Sequence, residues 1–191
     1  MIEFQTFFEL VLATVILNNV VLTYFLGIES VGQLNKKPSE VLKLSVALMI
    51  VLPIASALSY ILFSNVLLTV DELGVITSDF TYLRTILFVF IMIAVVYIMV
   101  AFTTAVLPNV YGYAGEQMKS LTTNTVVLGS LLLNVSSVDS VLNSVLFALF
   151  VAIGYGLVLM ILTYVEKQLE DAPIPESFKG LPLQFVILAV I

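Results

Sequence analysis

Residues 83–106 read LRTILFVFIMIAVVYIMVAFTTAV, a stretch whose one charged residue is Arg84. An α-helix needs roughly 20 apolar residues to cross the hydrocarbon core of a bilayer, which is about 30 Å thick. This stretch is long enough and apolar enough to do so. It therefore predicts a membrane-spanning helix and makes an integral membrane protein the first hypothesis for the whole chain.

The composition of the chain agrees with that hypothesis. Of its 191 residues, 61% are hydrophobic and 10% are charged, whereas a soluble domain carries about 25% charged residues. The formal net charge of −6 argues against nucleic acid as a partner, because phosphate binding needs a basic face. The chain has no cysteine and no histidine, the usual ligands of zinc, haem and iron–sulfur clusters. We therefore predict no metal site and, in the absence of any catalytic motif, no catalytic residues.

Five more apolar runs predict an all-α membrane protein with six transmembrane helices. The runs are Phe7–Ile28, Leu44–Val70, Val126–Leu133, Val141–Val165 and Leu181–Ile191. The first run has no basic segment before it and no cleavage site, so we predict a retained span rather than a signal peptide. The last run reaches only about half the bilayer at 1.5 Å per residue, so we expect the natural chain to continue.

Two similar segments predict an internal repeat. NVVL at 19–22 lies in the first run, and NTVVL at 124–128 begins at the end of the polar stretch 112–125 and continues into the fourth run. A span so polar is better described as a broken helix buried against protein or water. We therefore expect one transmembrane domain, 1–191, built as a 3+3 inverted repeat (about 1–106 and 107–191) with broken first and fourth helices.

Polar side chains near the two predicted breaks form the candidate site. Breaks in inverted repeats meet near the membrane midplane and commonly line substrate or ion paths. The midplane and ion-path candidates are Asn18, Asn19, Thr122, Thr123 and Asn124. The alternative is that these side chains hydrogen-bond neighbouring helices, at about 0.6 kcal/mol each. Glu116 and Lys119 mark a site only if they lie deep in the membrane. The alternative is that both belong to a solvated loop and that Glu29 marks the cytoplasmic end of the first span.

The basic residues predict the orientation. Lys36, Lys37 and Lys43 flank the first loop, and Lys167 and Lys179 lie in the last connector. The second loop is acidic, with Asp71, Glu72 and Asp79. The positive-inside rule then places the two basic loops in the cytoplasm and both termini outside it.

Several motifs, taken in order, resemble the membrane subunits of the Rnf and Na⁺-translocating Nqr electron-transport complexes, and are closest to the RnfA/NqrE branch. They are LNNVVL at 17–22, FLG at 25–27, KK at 36–37, YLRT at 82–85, LTTN at 121–124 and PIPESFKG at 173–180. The resemblance implies a multi-pass subunit of the bacterial cytoplasmic (inner) membrane. It also implies pairing with a homologous RnfE/NqrD-like subunit of opposite topology, beside other flavin- or iron–sulfur-bearing subunits.

The resemblance further implies a 2Fe–2S cluster that the two paired subunits share through two cysteines each. At those positions this chain has Glu29 and Thr125. A carboxylate and a hydroxyl are poor substitutes for thiolates on iron–sulfur. We therefore expect a relative without a cofactor of its own, in which polar or ionic contacts occupy the space of the cluster. An ion pair of Glu29 with Lys119, near Glu116, is one candidate contact.

Three functions stay open from the sequence. The first is a membrane subunit of an Rnf/Nqr-like redox-driven, ion-translocating complex. The second is an inverted-repeat transporter or channel in which an ion or small solute passes Asn19, Asn124 and Thr125, whose oxygen atoms suit a hard cation such as Na⁺. The third is a purely structural partner subunit.

Overall fold

The computed structural model describes residues 11–29, 38–70, 76–169 and 172–191. The sequence predictions that involve Lys36, Lys37, Asp71 and Glu72 lie outside the described residues, as does the start of the first apolar run. The helices are α1 (Val20–Tyr24), α2 (Pro38–Leu62), α3 (Arg84–Val106), α4 (Pro108–Ser120), α5 (Thr125–Ser137), α6 (Val141–Gln168) and α7 (Leu181–Val190), and the strands are β1 (Leu68–Val70) and β2 (Ile76–Asp79).

Three helical segments are long and apolar enough to cross a membrane. They are Pro38–Leu67, Thr81–Val106 and Val141–Gln168. These segments coincide with the second, third and fifth predicted spans, and they confirm the class of helical membrane protein. Shorter apolar helices lie where the sequence predicts the first, fourth and sixth spans, at Ala13–Tyr24, Thr125–Ser137 and Leu181–Val190.

The connection between α2 and α3 differs from the plain acidic loop that the sequence predicts. β1 and β2 pair as an antiparallel hairpin, with Leu68 opposite Asp79. Asp79 also orders the start of the next span, because its Oδ1 accepts hydrogen bonds from Thr81 Oγ1 at 2.6 Å and Thr81 N at 3.0 Å. These bonds, with the side-chain bond first, lower the pKa of the Asp79 carboxyl. The sequence interpretation placed Leu68-Thr69-Val70 at the end of the second apolar run and so missed β1. Thr69 and Val70 are β-branched residues, a type that is enriched in strands.

The long helices α2 and α6 pack antiparallel and form the centre of the molecule. Ser45 lies against Gly156, and Ser56 lies against Ser144 further along the same pair. Small residues at such contacts let two backbones approach closely, which is the main source of helix association in lipid. The core side chains buried along this pair include Leu44, Leu48, Leu52, Tyr155, Leu159 and Leu162.

An asparagine caps the helix that follows each of the two breaks. The side chain of Asn19 accepts a hydrogen bond from Val21 N at 3.0 Å, and that of Asn124 accepts one from Val126 N at 2.8 Å. Both residues have extended backbone, with ψ of 128° and 124°. The first N–H groups of a helix have no partner inside the helix, so this side chain supplies one. The two similar sequence segments therefore have the same local structure.

The first break packs directly on the middle of α6 at Gly154. A Cβ atom at Gly154 would lie 2.8 Å from Asn19 Nδ2 and 3.0 Å from the Cα of Val15. The same Asn19 Nδ2 donates a hydrogen bond to Val15 O at 2.9 Å. Any side chain at this position would have to displace backbone, because Val15 contributes main-chain atoms to the contact.

We predict that Gly154→Ala destabilises the protein by about 1–3 kcal/mol, the usual cost of overfilling a packed contact. The measurement is the thermal unfolding midpoint of the purified full chain in mild detergent. Gly112→Ala is the matched control, because a Cβ at Gly112 meets nothing within 4 Å. That helical position should tolerate alanine or gain up to about 1 kcal/mol. Equal midpoints for the two variants would contradict the close contact.

Candidate functional site at the helix breaks

The segment that follows α1 is bound to the start of α5 by three hydrogen bonds. Thr125 Oγ1 accepts one from Gly27 N at 2.8 Å. Thr125 N and Thr125 Oγ1 both donate to Glu29 Oε1, at 3.0 Å and 2.9 Å. The carboxylate thus lies at the N-terminus of a helix, where unpaired N–H groups and the helix dipole favour negative charge. The structure therefore brings Glu29 and Thr125 into direct contact.

Gly27 holds this crossing at close range. Its φ of +82° is a conformation that favours glycine, and a Cβ there would lie 2.3 Å from Val126 Cγ2 and 2.4 Å from Tyr155 Cε2. The hydroxyl of Tyr155 donates to Gly27 O at 3.3 Å. Both polar backbone atoms of Gly27 are therefore bonded to other elements, and α1, α5 and α6 meet at one residue.

The crossing lies at the middle of α6. Tyr155, which contacts Gly27, and Gly154, which contacts Asn19, are the two central residues of Val141–Gln168. A helix of this length is about 42 Å long, at 1.5 Å per residue. The site is consequently about as far from either end of this span as the helix allows.

The site is buried on one side and open on the other. Asn19 and Asn124 are buried, with 0% and 5% of their surface exposed. Glu29 and Thr125 are exposed on the surface of this chain. Phe25, four residues before Glu29 in the chain, is 50% exposed and packs edge-on against Phe185, with ring centroids 5.7 Å apart. This exposed aromatic contact joins the residue after α1 to α7.

The other predicted midplane residues differ in what they contact. Thr122 Oγ1 donates to Lys119 O at 2.9 Å, and Thr123 Oγ1 donates to Ser120 O at 3.3 Å. These two hydroxyls thus bond backbone carbonyl groups at the end of α4, next to the turn that separates α4 from α5. Asn18 is exposed and lines a cavity of about 270 Å³ together with Thr14 and Ser137. Asn18 is thus the midplane candidate that lines this cavity.

The structure does not bring Glu29 and Lys119 together, although both are described. They form no salt bridge with each other, and Lys119 Nζ lies 5.8 Å from the centroid of the Tyr111 ring, within the range of a cation–π contact. Glu116 is exposed on α4 and lines a separate pocket of about 270 Å³. The opposite charges of the two side chains indicated an ion pair, but Glu29 instead accepts hydrogen bonds from Thr125, and Lys119 lies over the Tyr111 ring.

The donor set at Glu29 and Thr125 does not fit an iron–sulfur cluster. The chain has no thiolate to offer, and such clusters are held by cysteine, or by histidine in part. The Thr125 hydroxyl is already engaged as both donor and acceptor, and the Glu29 carboxylate is bonded to a helix N-terminus. The described residues also contain no group of three or more acidic side chains that could hold a metal ion.

A second buried polar cluster, which the sequence interpretation missed, joins α2, α5 and α6. Asn134 Nδ2 donates to Ser56 Oγ and, at 2.9 Å, to Ser144 O. The hydroxyls of Ser56 and Ser144 are 3.2 Å apart, and all three residues are buried. The one signal in the sequence is an asparagine that directly follows three leucines at 131–133. The cluster ties the second half of α5 to the central helix pair.

Comparison with known proteins identifies one family. Residues 7–191 match the family described as "Rnf-Nqr subunit, membrane protein". Curated relatives, named as RnfA subunits of the ion-translocating oxidoreductase complex, include that of Pasteurella multocida, 31% identical over 93% of this chain and 88% of the relative. The proteins of the same name from Pseudoalteromonas translucida and Shewanella oneidensis are 32% and 34% identical, over 93% and 90% of this chain and 88% and 85% of their own lengths.

The Thr125 hydroxyl is tested by two substitutions of similar size. We predict that Thr125→Val destabilises the chain by about 1.5–3 kcal/mol, because a hydrogen bond to a charged group is worth about this much. Thr125→Ser keeps the hydroxyl and should stay near the wild-type unfolding midpoint in detergent. In a double-mutant cycle Thr125→Val and Glu29→Ala should be non-additive, whereas Lys119→Ala and Glu29→Ala should be additive. Coupling of the lysine instead of the threonine would contradict the geometry.

The Asn134 cluster yields a separate prediction. Asn134→Leu removes the donor that serves Ser56 and Ser144, so we expect a loss of about 1 kcal/mol, the scale of interhelical hydrogen bonds in membranes. Ser136→Ala is the matched control on the same helix, because Ser136 is exposed and, among the described residues, bonds only its own helix, at Leu132 O and Leu133 O. The readout is again the thermal unfolding midpoint. A control that destabilises as much as Asn134→Leu would refute the assignment.

Proposed function

The chain belongs to the Rnf-Nqr family of membrane subunits, and from this membership we propose that it is a subunit of an Rnf- or Nqr-like ion-translocating oxidoreductase complex. Its counterpart in the relatives is the RnfA protein of that complex. The observation that carries the proposal is the contact of Thr125 Oγ1 with Glu29 Oε1 at 2.9 Å. These two residues occupy the positions at which the resemblance expects paired ligands, and a shared architecture requires those positions to be adjacent.

The proposal includes the finer architecture expected from the sequence. It comprises six spans as a 3+3 inverted repeat, about 1–106 and 107–191, in the bacterial inner membrane with both termini outside the cytoplasm. The equivalent capping roles of Asn19 and Asn124 support a repeat. The crossing of α1 and α5 at Gly27 supports a site shared by the two halves.

We also propose that this subunit has no cluster of its own. The hydrogen bonds among Gly27, Glu29 and Thr125 link the segment after α1 directly to the second break, so the crossing does not depend on a metal for its cohesion. The family partner would be an RnfE/NqrD-like subunit of opposite topology, and flavin- or iron–sulfur-bearing subunits would carry the electrons. The contribution of this chain is then to complete the membrane assembly.

A transporter or channel that uses the asparagine pair is less well supported. Asn19 is fully buried, its Oδ1 accepts from Val21 N, and its Nδ2 donates to Val15 O. Thr125 is engaged with both Gly27 and Glu29. A solute that moved past these side chains would have to break the bonds that start α1 and α5.

The proposal predicts which proteins bind the chain in its native membrane. A tagged full-length chain, solubilised in mild detergent, should co-purify with flavin-bearing subunits and with a homologous membrane protein. Mass spectrometry identifies the chains, and absorption spectra with metal analysis measure flavin and iron. Membranes that carry the untagged chain are the control.

Two results would contradict parts of the proposal. Recovery of a lone homo-oligomer without flavin or iron would exclude the redox complex and direct attention to ion flux in liposomes. Iron that stays with this chain after it has been separated from its partners would contradict the absence of a cluster, while leaving the place in the complex intact.

A further inference from the structure

Glu29 has one oxygen atom that the described part of the chain leaves unused. Glu29 Oε1 accepts both hydrogen bonds from Thr125, and Oε2 accepts none from the described residues. The side chain is exposed on the surface, although it is bonded at the crossing that lies level with the centre of α6. The chain therefore presents a carboxylate outward at mid-span depth.

An outward carboxylate at that depth is costly if lipid covers it. Insertion scales give about 2.5–3.5 kcal/mol for a charged side chain near the centre of a membrane helix. Of the described cations, Lys119 lies over Tyr111 and Lys43 Nζ is 2.8 Å from Glu40 Oε1, and none of the described lysine or arginine side chains forms a salt bridge with Glu29. Charged residues inside membranes pair with partners of opposite charge or face water. The compensation for Glu29 has to come from outside the described chain.

We propose that the adjoining membrane subunit presents a positively charged side chain to Glu29 Oε2, and that this pair forms the centre of the interface between the two subunits. Exposed apolar surface is close in the chain, because Phe25, four residues before Glu29, is 50% exposed and its ring contacts that of Phe185, which is 47% exposed. Residues that dominate the binding energy of an interface lie in desolvated positions surrounded by contacts that exclude water. The identity of the partner rests on the proposed function, whereas the need for a cover rests on Glu29 alone.

Charge also decides what kind of partner covers this surface. A second copy of the chain, related by two-fold symmetry through this face, would place Glu29 opposite Glu29. Like charges across an interface cost several kcal/mol and suppress that pairing. The carboxylate therefore favours a different subunit with an arginine or lysine at the facing position, and it disfavours a homodimer through the same face.

Covering of Glu29 can be measured before the partner is identified. N,N′-dicyclohexylcarbodiimide, which partitions into membranes and modifies carboxyl groups there, is added to native membranes and, separately, to the purified chain after removal of its partners in detergent. Mass spectrometry quantifies the modification at Glu29. We expect at least tenfold less modification in native membranes than in the separated chain. Equal modification in both samples would show a lipid-facing carboxylate, and protection in both would show that the chain covers Glu29 itself; either result overturns the proposal.

The sign of the partner's charge needs a second measurement. Glu29→Gln keeps an oxygen acceptor for Thr125 and removes the charge, so we expect at least tenfold less of the adjoining subunit to stay bound in the pull-down. Glu116→Gln is the matched control, an exposed carboxylate on α4 that should leave retention unchanged. Wild-type retention by Glu29→Gln would overturn the charge pairing. Absence of any adjoining subunit in the wild-type sample would count against the proposed function, and the carbodiimide result in native membranes would still decide whether Glu29 is covered.

Discussion

The structure depends on satisfying backbone polar groups where two membrane helices are interrupted. In a hydrocarbon layer an unbonded N–H or C=O group costs several kcal/mol, so irregular backbone persists only where protein supplies partners. Here the side chains of Asn19 and Asn124 accept hydrogen bonds from N–H groups at the starts of α1 and α5. Gly27 N donates to Thr125 Oγ1, and the Tyr155 hydroxyl donates to Gly27 O. Gly27, which follows α1, thus relies on residues from distant parts of the chain, and these bonds join α1, α5 and α6 into one unit.

The same requirement explains why the crossing combines glycine with hydroxyl and carboxylate groups. A hydrogen bond between two segments of broken helix demands a close approach, and Gly27 provides it where any side chain would collide with Val126 and Tyr155. Once the backbones are that close, the Thr125 hydroxyl can accept one hydrogen bond and donate another. Glu29 then completes the set by interacting favourably with the N-terminal dipole of α5. Packing and polarity are therefore parts of one arrangement.

The sequence predicted the parts of this fold that depend on local composition. Long apolar runs located three spans, and the polar stretch at 112–125 located a break. The roles of the asparagines were harder to predict, because a polar side chain inside a membrane segment looks the same whether it caps a helix or lines a path. The contact between Glu29 and Thr125 links residues 96 apart, and charge signs alone favoured Lys119 instead. Ser56 and Ser144 carried no signal, since serine is common in membrane helices that pack closely.

A fold shared with the family and a site without thiolates are compatible, because the atoms that set the backbone geometry are not the atoms that would ligate a cluster. The resemblance expects thiolates at positions 29 and 125, where they would hold a metal cluster between subunits. The backbone geometry of the crossing is set by Gly27, by the caps Asn19 and Asn124, and by Tyr155. None of these residues would ligate such a cluster. A carboxylate and a hydroxyl can therefore replace the thiolates without disturbing the backbone. Their own hydrogen bonds then join the segment that follows α1 to the start of α5. On our proposal the interface with the adjoining subunit keeps its location, and electrostatics takes the place of metal coordination at its centre.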